Sequence, residues 1–292
     1  MSDTPDPTGS GIEPRTLYIV ATPIGNLADI SARAQRILGE VNFIAAEDTR
    51  HSTRLLRALE ISTPLLALHE HNEAAKAPAL VERLLQGETA ALISDAGTPL
   101  VSDPGYRLVR AAQDAGIAVR TVPGASAPLA ALSIAGLATD RFAFEGFLPA
   151  RKAARQSRLN ELADEPRTLI LFEAPHRLAA MLADCAACVG ADREATLARE
   201  LTKVHESCQR APLGELARRV AEGKEPARGE CVVLIAGAPV KNAEHEAQSE
   251  PLLAALIAEG VSPRTAAAVA RRLLPGAKRR DLYQRALELA GQ

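Results

Sequence analysis

Short, continuous apolar runs alternate along most of the chain with amphipathic stretches of about ten residues, the spacing of strand-turn-helix units. Runs at 16–22 (TLYIVAT), 41–48 (VNFIAAED), 64–70 (PLLALHE), 89–95 (TAALISD) and 117–124 (IAVRTVPG) predict buried strands. Between them, 30–38, 53–60, 77–87 and 106–116 carry helical periodicity; Ser31 is placed to cap the first, and Gly87 and Gly116 to end the last two. Strands apolar on both sides, each followed by a helix, imply a mostly parallel sheet covered on both faces. This pattern predicts an α/β domain over 14–122.

A helix rich in small residues follows (GASAPLAALSIAG, 124–136), and the rhythm then loosens. Strands are predicted at 141–149, 167–175, 194–202 and 229–237, with helices at 154–164, 176–189 and 214–223. The longer gaps predict more antiparallel pairing in a second α/β domain, 123–238. Residues 239–250 have little apolar content and read as a linker, and 1–13, polar and rich in Pro and Gly, as a disordered tail. The end of the chain, 251–292, reads as three short helices, with Ser262 capping, Pro263 at the first helical position and Gly276 terminating the second.

Charge changes the picture only locally. The net formal charge of the chain is -2, which argues against a protein coated in nucleic-acid-binding charge. Its last segment, however, sets Arg264, Arg271, Arg272, Lys278, Arg279, Arg280 and Arg285 against Glu259, Asp281 and Glu288. That excess reads either as a solvated helix face or as a phosphate-binding patch. With no long apolar run and no signal-peptide pattern, a cytoplasmic protein without a membrane span is expected. Four cysteines are too few for a disulfide framework, and the CAAC of 185–188 lies in a helical pattern that reads as core.

In open α/β sheets ligands collect beyond the strand ends, and five such turns are dense in Gly, Pro, hydroxyls or charge: ATPIGNL, EDTRHS, HEHNE, SDAGTPLVSDPG and PGASA. None has a dinucleotide or Walker fingerprint, nor a nucleophile elbow. His69 and His71 fall on one side of the predicted strand, but no third ligand is identifiable and no metal site is assigned. The SDAGTP turn suits a phosphate-free nucleoside. Gly97 lets backbone approach a flat ligand, Pro99 stiffens the wall, and Thr98 and Ser102 offer hydroxyls.

The ordered set LYIVATPIGNLADISARA, AAEDTRHS, ISDAGTPLVSDPGYRLV, VPGASA, LFEAPHR, ARELTKVHE and GECVVLIAG resembles the ribosomal RNA small-subunit methyltransferase I family. That family lies within the tetrapyrrole-methylase-like S-adenosylmethionine enzymes. The resemblance runs from 17 to 237 and is looser beyond. It implies two α/β domains with the cofactor cleft between them, a homodimer, and S-adenosyl-L-methionine as cofactor. It further implies methylation of the ribose 2'-hydroxyl of a cytidine in the decoding region of small-subunit rRNA, presented as free rRNA or as the 30S subunit.

Carried over residue by residue, the resemblance assigns the cofactor to Pro23, Gly97, Thr98, Pro99, Val101, Ser102, Ser126 and Ala174. A base or an alkoxide-stabilising cation is also expected for a ribose hydroxyl, with candidates in Asp48 and Arg50 and in Glu200, Lys203, His205 and Glu206. Any one of these could equally be a structural ion pair or a helix cap. Two rival functions remain: a methylase of a small macrocycle, and a non-catalytic RNA-binding or ribosome-assembly protein. TPIGN in the first loop, where macrocycle methylases are glycine-rich, and Thr98 where they carry Asp, favour the RNA branch.

Overall fold

A computed structural model describes residues 11–239, 242–274 and 279–291; the side chains of 242–248 are excluded. The chain forms two compact units, 1–237 and 238–292. The first unit holds two five-stranded sheets.

Sheet one contains β1 (Thr16–Val20), β2 (Phe43–Ala46), β3 (Leu65–Ala67), β4 (Ala90–Ile93) and β5 (Ala118–Val122), interleaved with α1 (Ala32–Glu40), α2 (Thr49–Ala58), α3 (Glu70–Leu85) and α4 (Tyr106–Asp114). Its order is β3-β2-β4-β1-β5 and every pairing is parallel. β2 and β4 are buried at every position, as the unbroken apolar runs require. Apolar layers cover both faces, one containing Ile37, Leu38 and Leu56, the other Leu80, Leu84 and Leu108. Ser31 caps α1 by accepting from the Ala34 amide at 3.1 Å.

After α5 (Ala127–Ile134), sheet two is built from β6 (Phe142–Phe147), α6 (Lys152–Glu161), β7 (Thr168–Glu173), α7 (Leu178–Val189), β8 (Glu194–Arg199), β9 (Ser207–Pro212), α8 (Leu213–Ala221) and β10 (Cys231–Ile235). The order is β6-β7-β10-β8-β9, parallel only between β6 and β7, in line with the looser sequence rhythm. One core layer joins this sheet to α6, α7 and α8. On the other face Ala131 and Leu132 of α5 and Ala135 just beyond it pack with Ile170, Val232 and Leu234, and Ile24 from the turn after β1 joins the same cluster.

Several expectations need correction. β9 is not evident from the sequence pattern because SCQRAP is a polar edge strand whose only partner is β8. β3 ends at Ala67, and α3 begins seven residues ahead of the predicted start at 77 because Asn72 and His69 form a capping box there. His69 and His71 thus share no strand face. The amide of His69 donates to Asn72 Oδ1 at 3.0 Å, and its Nε2 lies 2.9 Å from Asn72 Nδ2. Cys185 of the CAAC segment is buried in α7, and burial pushes its thiol up to about 12.

At the N-terminus, residues 1–10 of the expected tail lie outside the described residues. Glu13 is tethered rather than free: its amide donates to Tyr18 Oη at 2.8 Å and its carboxylate pairs with Arg120 at 2.8 Å.

The second unit contains α9 (Asn242–Ala258), α10 (Pro263–Leu273) and α11 (Arg279–Leu289) around Leu253, Ala266, Ala267, Ala270, Leu282 and Ala286. The predicted linker is therefore helical from Asn242. NAEHEAQSE lacks apolar periodicity but is composed largely of good helix formers, and Pro251 lies inside the helix. Ser262 caps α10 with Pro263 at its first position, as predicted. Gly276 and Lys278 lie outside the described residues. Arg264, Arg271, Arg272, Arg279 and Arg280 are exposed, whereas Arg285 pairs with Glu250 and Glu288.

Under the second sheet, Arg155 and Asp184 form a buried pair at 2.6 Å, with side chains only 6% and 7% exposed. Gln156 Nε2 donates to the other Asp184 oxygen at 2.8 Å, and Arg155 Nη1 donates to the Ala150 carbonyl at 3.1 Å. Removing one partner strands a buried charge. Asp184→Ala is expected to cost about 3–5 kcal/mol in urea-unfolding free energy, and Arg155→Lys less, because a cation remains.

Candidate functional site

The turns after β1 and β4 are zipped together by reciprocal backbone hydrogen bonds. Thr22 N–H donates to the Gly97 carbonyl at 2.9 Å and Gly97 N–H to the Thr22 carbonyl at 3.0 Å. Gly97 has φ +81°, a conformation costly for any residue with a Cβ, and an added Cβ would lie 3.3 Å from Ile24 Cγ2. Its glycine is therefore required by the turn itself. Gly97 also lines the adjoining cavity, so the same position is open to a ligand on its other side. Thr98 Oγ1 donates to the Ala125 carbonyl at 3.1 Å, tying the same turn to the segment before α5.

These ties wall a cavity of about 480 Å³ at the carboxyl ends of the first sheet's strands, facing strand ends of the second sheet. It gathers Gly97, Thr98, Val101, Ser102, Ser126 and Ala174 of the predicted cofactor residues. Pro23 and Pro99 flank the lining residues without joining them. Ser126 stands at the amino end of α5 and makes no side-chain cap bond there. Three of the chain's five phenylalanines cluster at this place: Phe147 and Phe172 line the cavity, with rings 5.6 Å apart, and Phe144 backs Phe172 at 5.0 Å.

The charged part of the lining is all acidic, among apolar residues such as Ile24, Ala127, Pro128 and Val232. Glu47, Asp95, Asp103, Glu173 and Glu230 border the cavity and, among the described residues, no lysine or arginine does. Burial, reinforced by the charges of Asp103 and Asp95, raises the Glu47 carboxyl to about 7. Burial also raises Asp103, against a hydrogen bond from Ser94. Across the cavity the Glu173 side chain is fully buried; Oε1 accepts from the Ala174 amide at 2.8 Å, while Oε2 has no hydrogen-bond partner among the described residues.

None of the six predicted catalytic residues lines the cavity. Asp48 caps α2 by accepting from the Arg50 amide at 2.8 Å, and its exposed ion pair with the Arg50 side chain at 3.0 Å lowers its carboxyl to about 2. Glu47, in the bend that follows β2, borders the cavity, whereas the extended Asp48 places its carboxylate at the start of α2. The EDTR motif thus reaches the cavity through its first residue, not through Asp48 and Arg50.

Glu200 and Lys203 form a 3.0 Å pair beneath the rim. Lys203 also reaches Glu230 at 3.3 Å, and the Glu230 amide donates to Glu200 at 2.9 Å. That amide bond, then Lys203, lowers the Glu200 carboxyl. Glu206 accepts from the Thr202 amide in the same turn, and His205 is exposed. Asp95 and Asp103 lie in the SDAGTPLVSDPG turn but sequence reasoning does not single them out within it, while Phe147, Glu173 and Glu230 join the site only through the packing of one sheet against the other.

Comparison with known proteins gives first a class and then a family. The model of the Tetrapyrrole (Corrin/Porphyrin) Methylases matches residues 16–217. A solved structure of uroporphyrin-III C-methyltransferase from Thermus thermophilus, complexed with S-adenosylhomocysteine, shares the fold. It has a TM-score of 0.53 and 20% identity, covering 76% of this chain and 97% of that one.

Ribosomal RNA small subunit methyltransferase I of Pseudomonas aeruginosa is 53% identical over 95% of this chain and 98% of its own length. The Escherichia coli O157:H7 protein of that name is 48% identical over 94% and 96%. The chain belongs to the ribosomal RNA small subunit methyltransferase I family.

The raised Glu47 carboxyl has a consequence for stability. The folded protein holds that proton more tightly than the unfolded chain, so Glu47 favours folding below its unfolded value near 4.5, and this is lost as pH rises through about 7. Glu47→Gln, permanently neutral, is expected to raise the melting temperature over wild type at pH 8 and to lose most of that advantage by pH 5.

Proposed function

We propose that this chain transfers a methyl group from S-adenosyl-L-methionine to small-subunit rRNA, at the ribose 2'-hydroxyl of a cytidine. The observation that carries the reading is the acidic cavity, free of lysine and arginine among the described residues, at the strand ends. Such a lining repels phosphates and suits a nucleoside that is itself cationic. S-adenosylmethionine has that chemistry: when bound it supplies an electrophilic methyl on a sulfonium centre, and it carries an ammonium group as well.

Gly97, Thr98, Val101, Ser102, Ser126 and Ala174 would hold it, with Pro23 and Pro99 stiffening the turns behind them. Glu200 and Lys203 support the Glu230 rim. Holding the reacting hydroxyl in line with the methyl donor supplies much of the rate in a displacement of this kind. The reading includes a homodimer acting in the cytoplasm on free rRNA or the 30S subunit. Among the described residues, no helix is long and apolar enough to cross a membrane.

The test combines binding with product mapping. S-adenosylmethionine is expected to raise the melting temperature while ATP does not, and small-subunit rRNA treated with protein and cofactor should gain a 2'-O-methylcytidine detectable by mass spectrometry of its nucleosides. Gly97→Val, which strains the turn, should abolish the thermal shift in a variant whose circular dichroism remains native. A folded Gly97→Val that binds as wild type would show that the cofactor lies elsewhere.

The exposed arginines of the second unit are the phosphate-binding groups in this reading. Deleting 251–292 should flatten the dependence of log RNA affinity on log salt by roughly 0.9 for each phosphate no longer neutralised at a duplex-like site. Cofactor affinity should persist. Equal slopes for full-length and truncated protein of matched oligomeric state would leave those arginines merely solvated.

A further inference from the structure

Resting on the methyltransferase reading, we propose that Glu47 is the group that takes the proton from the hydroxyl being methylated. Proton balance sets the requirement. As the hydroxyl oxygen bonds to the methyl carbon, the carbon–sulfur bond breaks and its electron pair stays on sulfur. The oxygen must then shed its proton. An unperturbed ribose hydroxyl is a poor nucleophile at neutral pH, so an acceptor at the cavity wall raises the rate by a large factor.

Geometry narrows the choice. The groups able to accept a proton that border the cavity are Glu47, Asp95, Asp103, Glu173 and Glu230. Asp95 Oδ1 is engaged by the Asp48 amide at 3.1 Å, and Asp103 by Ser94. Glu230 is held in an ion pair with Lys203 at 3.3 Å. Glu173 is fully buried, with Arg177 at 3.1 Å beside its Oε1. Glu47 has no ion pair among the described residues; it faces Asp103 and Asp95, with Asp48 beside it, and takes a hydrogen bond from the Asp95 backbone.

Glu47 also titrates near neutrality, strong enough as a base to accept the proton and weak enough to return it to solvent. The pairing of Asp48 with Arg50, which holds its carboxyl near 2, removes the neighbouring carboxylate from that role.

Glu47→Gln is expected to lower the saturating single-turnover rate by about 10²–10⁴-fold, a loss far larger than the weakening of S-adenosylmethionine affinity that follows from removing one carboxylate beside a cation. At saturating cofactor the wild-type rate should rise with pH and level off, with its inflection below the free protein's value of about 7, because the bound cation lowers the Glu47 carboxyl and only the ionised carboxylate accepts a proton. The glutamine variant should lose that inflection, and Glu47→Asp should keep it at a reduced plateau. A readout independent of turnover is calorimetry in buffers of different ionisation enthalpy. Near pH 7, S-adenosylmethionine should drive proton release from wild type and none from Glu47→Gln, because a cation beside Glu47 lowers its carboxyl.

The proposal is overturned if the glutamine variant keeps the rate and the inflection, or if it loses only cofactor affinity with an unchanged saturating rate. Wild-type protein that neither binds S-adenosylmethionine nor methylates rRNA would instead overturn the methyltransferase reading beneath it.

Discussion

The site depends on two backbone hydrogen bonds between Thr22 and Gly97. They join the turns after β1 and β4, neighbouring strands of one sheet, at the height where the chain leaves the sheet. The bridge fixes the direction of everything downstream. From Gly97 the turn runs through Thr98, anchored on Ala125, to Ser102 and Asp103, which border the cavity. The bridge also seats Ile24 in the core shared by α5 and the second sheet, so the two sheets are registered by the same turn that shapes the pocket.

Backbone strain is concentrated where these turns meet. Of the six non-glycine residues with positive φ among the described residues, Leu100 and Ser102 lie in the turn after β4, and Glu200 and Thr202 in the turn after β8. Each such residue costs about 1–3 kcal/mol and persists only when its surroundings over-determine it. The surroundings here are close packing. A Cβ on Gly25 would lie 2.5 Å from Lys203 Cγ, and one on Gly229 would lie 2.3 Å from the Glu200 carboxylate. The turns after β1 and β8 and the approach to β10 thus lock one another, which holds the Glu230 rim in place.

Charge does the complementary task. The cavity collects carboxylates whose mutual repulsion and partial burial keep a proton near Glu47, while Arg50 and Lys203 are engaged at exposed or rim positions. The charged residues that line the pocket are all carboxylates, whereas the second unit exposes arginines, so groups of opposite sign are kept on separate surfaces among the described residues.

The sequence by itself determined the layered α/β plan, the parallel first sheet, the mixed second sheet, the caps at Ser31 and Ser262, and the turn that walls the pocket. Each follows from local rules of periodicity, capping and turn chemistry acting within a few residues. The family, too, was legible in its ordered motifs. Only the tertiary structure decided which carboxylates face the cavity. Glu47 and Asp48 are adjacent in sequence and equivalent in chemistry, and the bend after β2 sets one against the cavity and leaves the other to cap α2. The polar edge strand β9 and the helical start of α9 were likewise beyond local patterning, because pairing with β8 and propagation into an apolar second half stabilise them. Phe147, Glu173 and Glu230 become site residues for the same reason: the cavity exists only between strand ends of two sheets whose residues are far apart in the chain.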